Sequence, residues 1–186
     1  MIIIDIGHTT GTGSRGNGQE EHDLCTKVAK RLASQLGVAG HQVTVLDYTN
    51  TTNTIDLNKT IAAANAMQGV DFGISLHMDA SDNAGPHGGH VCYASTKGAM
   101  LAEAIAKPLA KYMPGRACIT MKRPKLAVLN RTRAPWVLIE LGFITSPSDI
   151  KKLMDDPDTA KDELSGLVDC LMTGITKAVQ VSKTWA

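Results

Sequence analysis

The chain has 186 residues, 43% of them hydrophobic and 20% charged, which suits one globular domain with its own core and leaves little room for a second. A formal net charge of +1 and an aromatic content of 4% argue against a nucleic-acid surface or a base-stacking platform, and no apolar run approaches the length of a membrane span. Met1 runs directly into Ile2-Ile3-Ile4-Asp5 without a basic start or a cleavage site, so the expected product is made in the cytoplasm without a signal peptide.

Residues 1–6 form a short apolar run that stops at Gly7, and a Gly/Thr/Ser-rich loop follows to Gly18. From Glu20 the pattern is helical, with Leu24, Val28, Leu32 and Leu36 at i+4 spacing, and Gly37 and Gly40 end it. Residues 42–48 alternate like a strand, and 49–54 form a Thr/Asn loop. Asp56 is the expected cap of a helix from about Leu57 to Met67. Residues 71–77 read as a buried strand, 78–89 as a loop and 90–94 as a strand. A helix over 98–113 is expected to bend or break near Pro108, and 114–125 to be irregular and basic. Residues 126–129 suggest a short strand and 135–141 a strongly buried one. Ser146-Pro147 starts a short helix through Met154, and 158–181 form a long terminal helix.

Strands separated by helices predict an α/β fold, a mainly parallel twisted sheet with helices on both faces. Residues 1–181 are expected to be one catalytic domain and 182–186 a tail. Such sheets bind ligands beyond the carboxyl ends of their strands, so polar residues placed there come first. His8 follows the first strand, His77 ends the third, Glu140 lies near the end of 135–141, and Glu21 opens the first long helix. Two imidazoles and a carboxylate are a common catalytic zinc set that keeps the fourth position open for water. A second carboxylate must then handle the proton, and Glu140, set in Trp136-Val137-Leu138-Ile139, is the candidate base.

Each of these residues also has a plainer explanation. Glu140 could belong to an internal ion pair with Arg131 or Arg133, Glu21 could be a helix-dipole partner, and Glu20 competes for the same role. His87 and His90 are read as loop residues, His22 and His41 as surface residues, and Lys122-Arg123-Pro124-Lys125 as a solvated turn that could border a substrate groove. Cys25, Cys92, Cys118 and Cys170 lack close pairing and are read as free buried thiols rather than zinc ligands or disulfides.

Taken together, four motifs resemble the zinc-dependent N-acetylmuramoyl-L-alanine amidases of bacterial wall remodelling and phage lysins, over residues 2 to about 153. They are Ile3-Ile4-Asp5-Ile6-Gly7-His8, Glu21-His22-Asp23-Leu24, Ile74-Ser75-Leu76-His77-Met78-Asp79-Ala80 and Val137-Leu138-Ile139-Glu140-Leu141-Gly142-Phe143-Ile144. This register selects Glu21 over Glu20. The resemblance implies one Zn2+ per chain on His8, Glu21 and His77, with Glu140 as general base. It also implies bacterial peptidoglycan as partner and hydrolysis of the bond between N-acetylmuramic acid and L-alanine. Departures from the usual pattern fall at Thr9-Thr10-Gly11, Thr60, Asp79 and Asn130; Asp79 and Asn130 are thereby candidates for substrate contact. An endolysin or a sporulation enzyme would fit the absent leader. A zinc hydrolase of another amide, or a non-catalytic wall-binding module, is the alternative.

Overall fold

Within the apolar runs every second residue faces the same side, and this alternation decides the architecture. The computed structural model describes residues 1–83, 85–154 and 162–185. Its strands are β1 (Ile2–Ile6), β2 (Arg15–Gly16), β3 (Gln19–Glu20), β4 (Val43–Leu46), β5 (Phe72–Asp79), β6 (His90–Tyr93), β7 (Thr120–Lys122) and β8 (Trp136–Phe143). Its helices are α1 (Glu21–Val38), α2 (Asn53–Ala66), α3 (Thr96–Tyr112), α4 (Ala127–Asn130), α5 (Pro147–Lys151) and α6 (Glu163–Ser182). Six strands form one sheet in the order β4-β1-β5-β8-β6-β7; β2 and β3 make a separate small hairpin. Within the six, only the β6–β8 pairing is antiparallel. The expected α/β architecture with a mainly parallel sheet is the one adopted.

One face of the sheet presents Ile2, Ile4, Ile6, Phe72, Ile74, Leu76, Val137, Ile139 and Leu141 to α1, α3 and α6. The other presents Ile3, Cys92, Trp136 and Leu138 to Ala64 of α2 and to Val128 and Leu129 of α4. Gly73 lies beneath Trp136, and a Cβ there would come 2.0 Å from the indole. Among the described residues no helix is long and apolar enough to cross a membrane.

Several elements differ from their expected form. α1 includes Gly37 and ends at Val38, and Gly40 closes it as expected: His41 N–H reaches Leu36 C=O at 3.0 Å, with Gly40 left-handed at φ 85°. α2 begins four residues before Leu57, because the Thr52 hydroxyl accepts from Ile55 N–H and caps the helix a turn earlier than Asp56 could. α3 continues through Pro108. Residues 126–129 form one helical turn, not a strand, and the strand of this region is β7, inside the stretch expected to be irregular. An apolar run of four residues does not distinguish the two states. Pro147–Lys151 is shorter than the helix expected to reach Met154, and residues 158–161 of the terminal helix lie outside the described residues. Lys183–Trp185 continue α6 as a 3-10 turn, with Trp185 packed on the main core. All four cysteines are free, but only Cys25 and Cys92 are buried; Cys118 is exposed and Cys170 intermediate.

Candidate metal centre

β1 and β5 run parallel with Ile6 level with Leu76, so His8 and His77 reach the same edge of the sheet. His8 is left-handed (φ 63°), a conformation rare for a residue with a side chain. The two imidazoles stand edge to face, with centroids 5.1 Å apart. Gly7 leaves room for this: a Cβ there would sit 2.4 Å from His77 Cε1. Glu21 is the first residue of α1 and is 1% exposed. Its Oε1 accepts from Met78 N–H at 2.9 Å and lies 3.1 Å from His77 Nδ1. Its Oε2 accepts from Ser14 N–H at 2.7 Å and lies 3.5 Å from His8 Nε2. Candidate donor atoms of all three residues lie within 4.8 Å of one another. Glu20 instead pairs with Arg15 at 2.7 Å.

The electrostatics suit a cation. Burial alone would raise the Glu21 carboxyl, but the His77 hydrogen bond, the charges of His77 and His8 and the Met78 amide outweigh it, leaving it below its ordinary value. Burial works against charge on His77, yet Glu21, Glu140 and Asp5 raise it above the usual imidazole value.

Glu140 pairs across β8 with His77 on one side and with His90 on the other. Burial raises its carboxyl above the ordinary value, with Glu21 adding to that and His77, Arg116 and Arg123 opposing it. Its Oε2 is buried and has no hydrogen-bond partner. The plainer alternative, an ion pair with Arg131 or Arg133, is not formed among the described residues; Asn65 of α2 holds the Arg131 carbonyl and the Arg133 amide at 2.9 and 2.7 Å.

Sequence reasoning missed Arg116. Its guanidinium pairs with Asp79 Oδ2, lies 2.9 Å from His90 Nδ1 and stacks 4.5 Å above the Phe143 ring. No local pattern marks it, since the loop brings it to the site from a distant part of the chain. Asp79 is therefore already engaged. Asn130 donates to Pro124 C=O at 2.5 Å and makes no contact with the His8–Glu21–His77 cluster. His90, placed in a Gly-rich loop when weighed as a ligand but also at the start of the expected strand 90–94, is the first residue of β6, buried, its imidazole pushed down to about 4 by burial and by Arg123. His22, read as exposed, is 4% exposed and contacts Asp47 at 3.0 Å. His41 is half-buried, and His87 is exposed, its Nδ1 2.6 Å from Gly85 C=O.

Behind the two histidines lies a cavity of 130 Å³ lined in part by Asp5, Asn53, Asp56 and Ser75. Asp5 accepts from Thr60 Oγ1 at 2.7 Å and from Ser75 Oγ at 2.5 Å. Asp56 is raised to about 7 by burial, reinforced by Asp5 and Asp47, and its Oδ1 has no partner. Asp5 and Ser75 were hidden in runs read as apolar strand, and Asp56 in its expected role as a cap.

Comparison with known proteins is consistent with this geometry. The N-acetylmuramoyl-L-alanine amidase LytC of Bacillus subtilis is 33% identical over 157 residues, 82% of this chain and 31% of that protein. The amidase CwlM of Bacillus licheniformis is 30% identical over 157 residues, 60% of its length, so the chain spans only part of these relatives. The solved catalytic domain of the CD27L endolysin targeting Clostridia Difficile superposes with a TM-score of 0.79 at 27% identity, covering 94% of this chain and 96% of that one. A family model described as N-acetylmuramoyl-L-alanine amidase matches residues 2–167, and the chain belongs to that family.

Proposed function

We propose that residues 1–181 act as one catalytic domain that hydrolyses the amide between N-acetylmuramic acid and L-alanine in bacterial peptidoglycan, with Zn2+ on His8, Glu21 and His77 and Glu140 as general base. The observation that carries this is the convergence of three metal-capable side chains within 4.8 Å, beside a buried carboxylate whose Oε2 is free. The residues fit the ion. Glu21 Oε1 stands 3.1 Å from His77 Nδ1 and its Oε2 3.5 Å from His8 Nε2, and one donor atom from each of the three residues lies within 4.8 Å of the others, the donor set of a catalytic zinc site. The Ser14 and Met78 amides point both Glu21 oxygens and favour the ionised form a metal needs.

When bound, zinc would polarise the scissile carbonyl and make water acidic enough to attack near neutral pH. Glu140 Oε2 would take the proton of the attacking water and return it to the departing alanine nitrogen. Burial raises this carboxyl above its ordinary value and so makes it a stronger base, with His77, Arg116 and Arg123 opposing the shift. His77 and Glu140 are level on the adjacent strands β5 and β8, which supports their pairing as ligand and base. Peptidoglycan is the proposed partner, met outside the compartment of synthesis.

The test is release of new N-terminal alanine from purified peptidoglycan, measured with zinc, after chelation and after zinc is restored. Release that disappears on chelation and returns with zinc is expected. One bound zinc per chain without alanine release would rule out this substrate and leave the metal centre standing.

A further inference from the structure

Glu140 Oε2 is buried and unpartnered although an imidazole stands beside it. His90 of β6 is directly opposite Glu140 of β8. Directly opposed residues of antiparallel strands present their side chains on one face, with Cβ atoms roughly 4.5–5.5 Å apart. On the far side of Glu140 the row continues to His77. A buried imidazole and a buried carboxylate at that spacing are expected to join, since each costs free energy when left without a partner. Among the described residues no hydrogen bond or ion pair joins them, and both nitrogens of His90 are engaged elsewhere.

Arg116 is what turns the ring away. Its guanidinium comes from the loop between α3 and β7 and stacks on Phe143, which the register shift after Glu140 brings level with Asp79. Asp79 belongs to β5 and His90 to β6, the two neighbours of β8, and one nitrogen of the guanidinium reaches both. Arg116 Nη2 donates to Asp79 Oδ2 and to His90 Nδ1, the latter at 2.9 Å. A guanidinium has donors only, so His90 Nδ1 is an acceptor and the ring proton sits on Nε2. Nε2 lies 3.4 Å from the Cys92 thiol, two residues along the same face. His90 is thus held as a single neutral tautomer, in keeping with an imidazole pushed down to about 4. The charged and titratable groups that face it are Glu140 from β8, Asp79 from β5, Cys92 from β6, and Arg116 and Arg123 from before and after β7.

We propose that Arg116 is a positioning residue for the base: by occupying His90 Nδ1 it keeps that imidazole from pairing with Glu140 and leaves Oε2 open for the proton of the attacking water. This rests on the amidase reading, in which Glu140 is the base. Without the guanidinium, His90 takes a second proton from solvent and donates it in a hydrogen bond to Glu140 Oε2, which blocks the base. Asp79 Oδ2, 3.5 Å from His90 Nδ1, is the competing acceptor.

The experiment compares wild type, Arg116→Met, His90→Leu and the double variant, all zinc-loaded and 15N-labelled at histidine, with the His90 signals identified by their loss in His90→Leu. Imidazole nitrogen shifts give the protonation of His90, and alanine release gives the rates. Wild type is expected to keep the neutral Nε2–H tautomer from about pH 5 to 8, and Arg116→Met to show a protonated ring over most of that range. Arg116→Met should lower kcat by about 10–100-fold, part of what a general base supplies, with KM little changed. His90→Leu should stay within about threefold of wild type, and the double variant should recover most of the loss, the coupling expected of residues in one network. A double variant no faster than Arg116→Met overturns the proposal, since the guanidinium would then act directly and not through His90. So does a wild-type ring that is protonated or carries its proton on Nδ1, a result that needs no folded Arg116→Met protein. A neutral ring in Arg116→Met overturns it as well. Wild type that releases no alanine would remove the amidase reading and the role of Arg116 with it, while the His90 tautomer would still show whether the guanidinium holds the ring.

Discussion

The two faces of the sheet are made from the same strands and do different work. Towards α1, α3 and α6 the strands present Ile2, Ile4, Ile6, Phe72, Ile74, Leu76, Val137, Ile139 and Leu141, an almost uninterrupted aliphatic layer. On the other face β1, β5 and β8 turn polar towards their carboxyl ends: Ile3 gives way to Asp5, Gly73 to Ser75 and His77, and Leu138 to Glu140. Because side chains alternate along a strand, one run of eight residues can anchor a core and present a reactive group with no change of backbone. The lesson is a division of labour at single-residue resolution. The aliphatic face supplies the hydrophobic stabilisation, and the polar face gives up some of it to keep charges where chemistry needs them.

Neighbours in β8 offer the sharpest test of that division. Glu140→Ala should lower kcat/KM by roughly 10²–10⁴-fold, the range for losing a general base, while zinc stays bound at one per chain. Its urea midpoint should hold or rise, since an unpartnered buried oxygen is removed. Near-normal turnover would end its assignment as base. Leu141→Ala, one residue on and 0% exposed, should do the reverse: a loss of about 2–5 kcal/mol in stability, with zinc content of the folded protein unchanged. A mutational loss of stability equal at both positions would dissolve the distinction between the faces. His77→Ala should empty the metal site, and full zinc occupancy measured by atomic absorption would remove it as a ligand.

A milder substitution separates metal binding from folding. A Cβ on Gly7 would meet the His77 ring at 2.4 Å, and the ring must turn to admit it. Gly7→Ala should weaken zinc by about 10–100-fold, the scale seen when groups that orient a ligand are disturbed. Competition against a chromogenic chelator gives the affinity, and an unchanged value would show that the ring has slack.

Much of this was legible from residues alone because the signals were local. The β1, β5 and β8 runs, the i+4 spacing of α1 and the motifs around His8, Glu21, His77 and Glu140 all sit within a few residues of what they determine. What escaped depends on distant partners. Arg116 reaches Asp79 and His90 from a loop with no periodicity. His22 looked exposed because Asp47, which it contacts, lies 25 positions away. The four-residue apolar run 126–129 carries no period and so suggests a strand, whereas its packing on the sheet makes residues 127–130 a helical turn. The polarity of Asp56 suits a cap, but the Thr52 hydroxyl fills that role a turn earlier.

Asp56 offers the smallest test, and its sign runs against intuition. Its carboxyl moves from 3.8 to about 7 on folding, driven first by burial and then by Asp5 and Asp47. Between those values the folded chain holds a proton that the unfolded chain has released. Stability contributed by this group therefore falls as pH rises from about 4 to 7, and the penalty is complete above 7. Asp56→Asn removes the penalty. It should stabilise the zinc-free protein on the order of 2 kcal/mol at pH 8, and by little near pH 4. Urea unfolding of both proteins at the two pH values gives the difference directly, and other titrating groups cancel in it. A variant less stable than wild type at pH 8 would mean the Asp56 carboxylate is compensated in solution. The polar face would then cost the fold less than its buried, unpartnered oxygen implies.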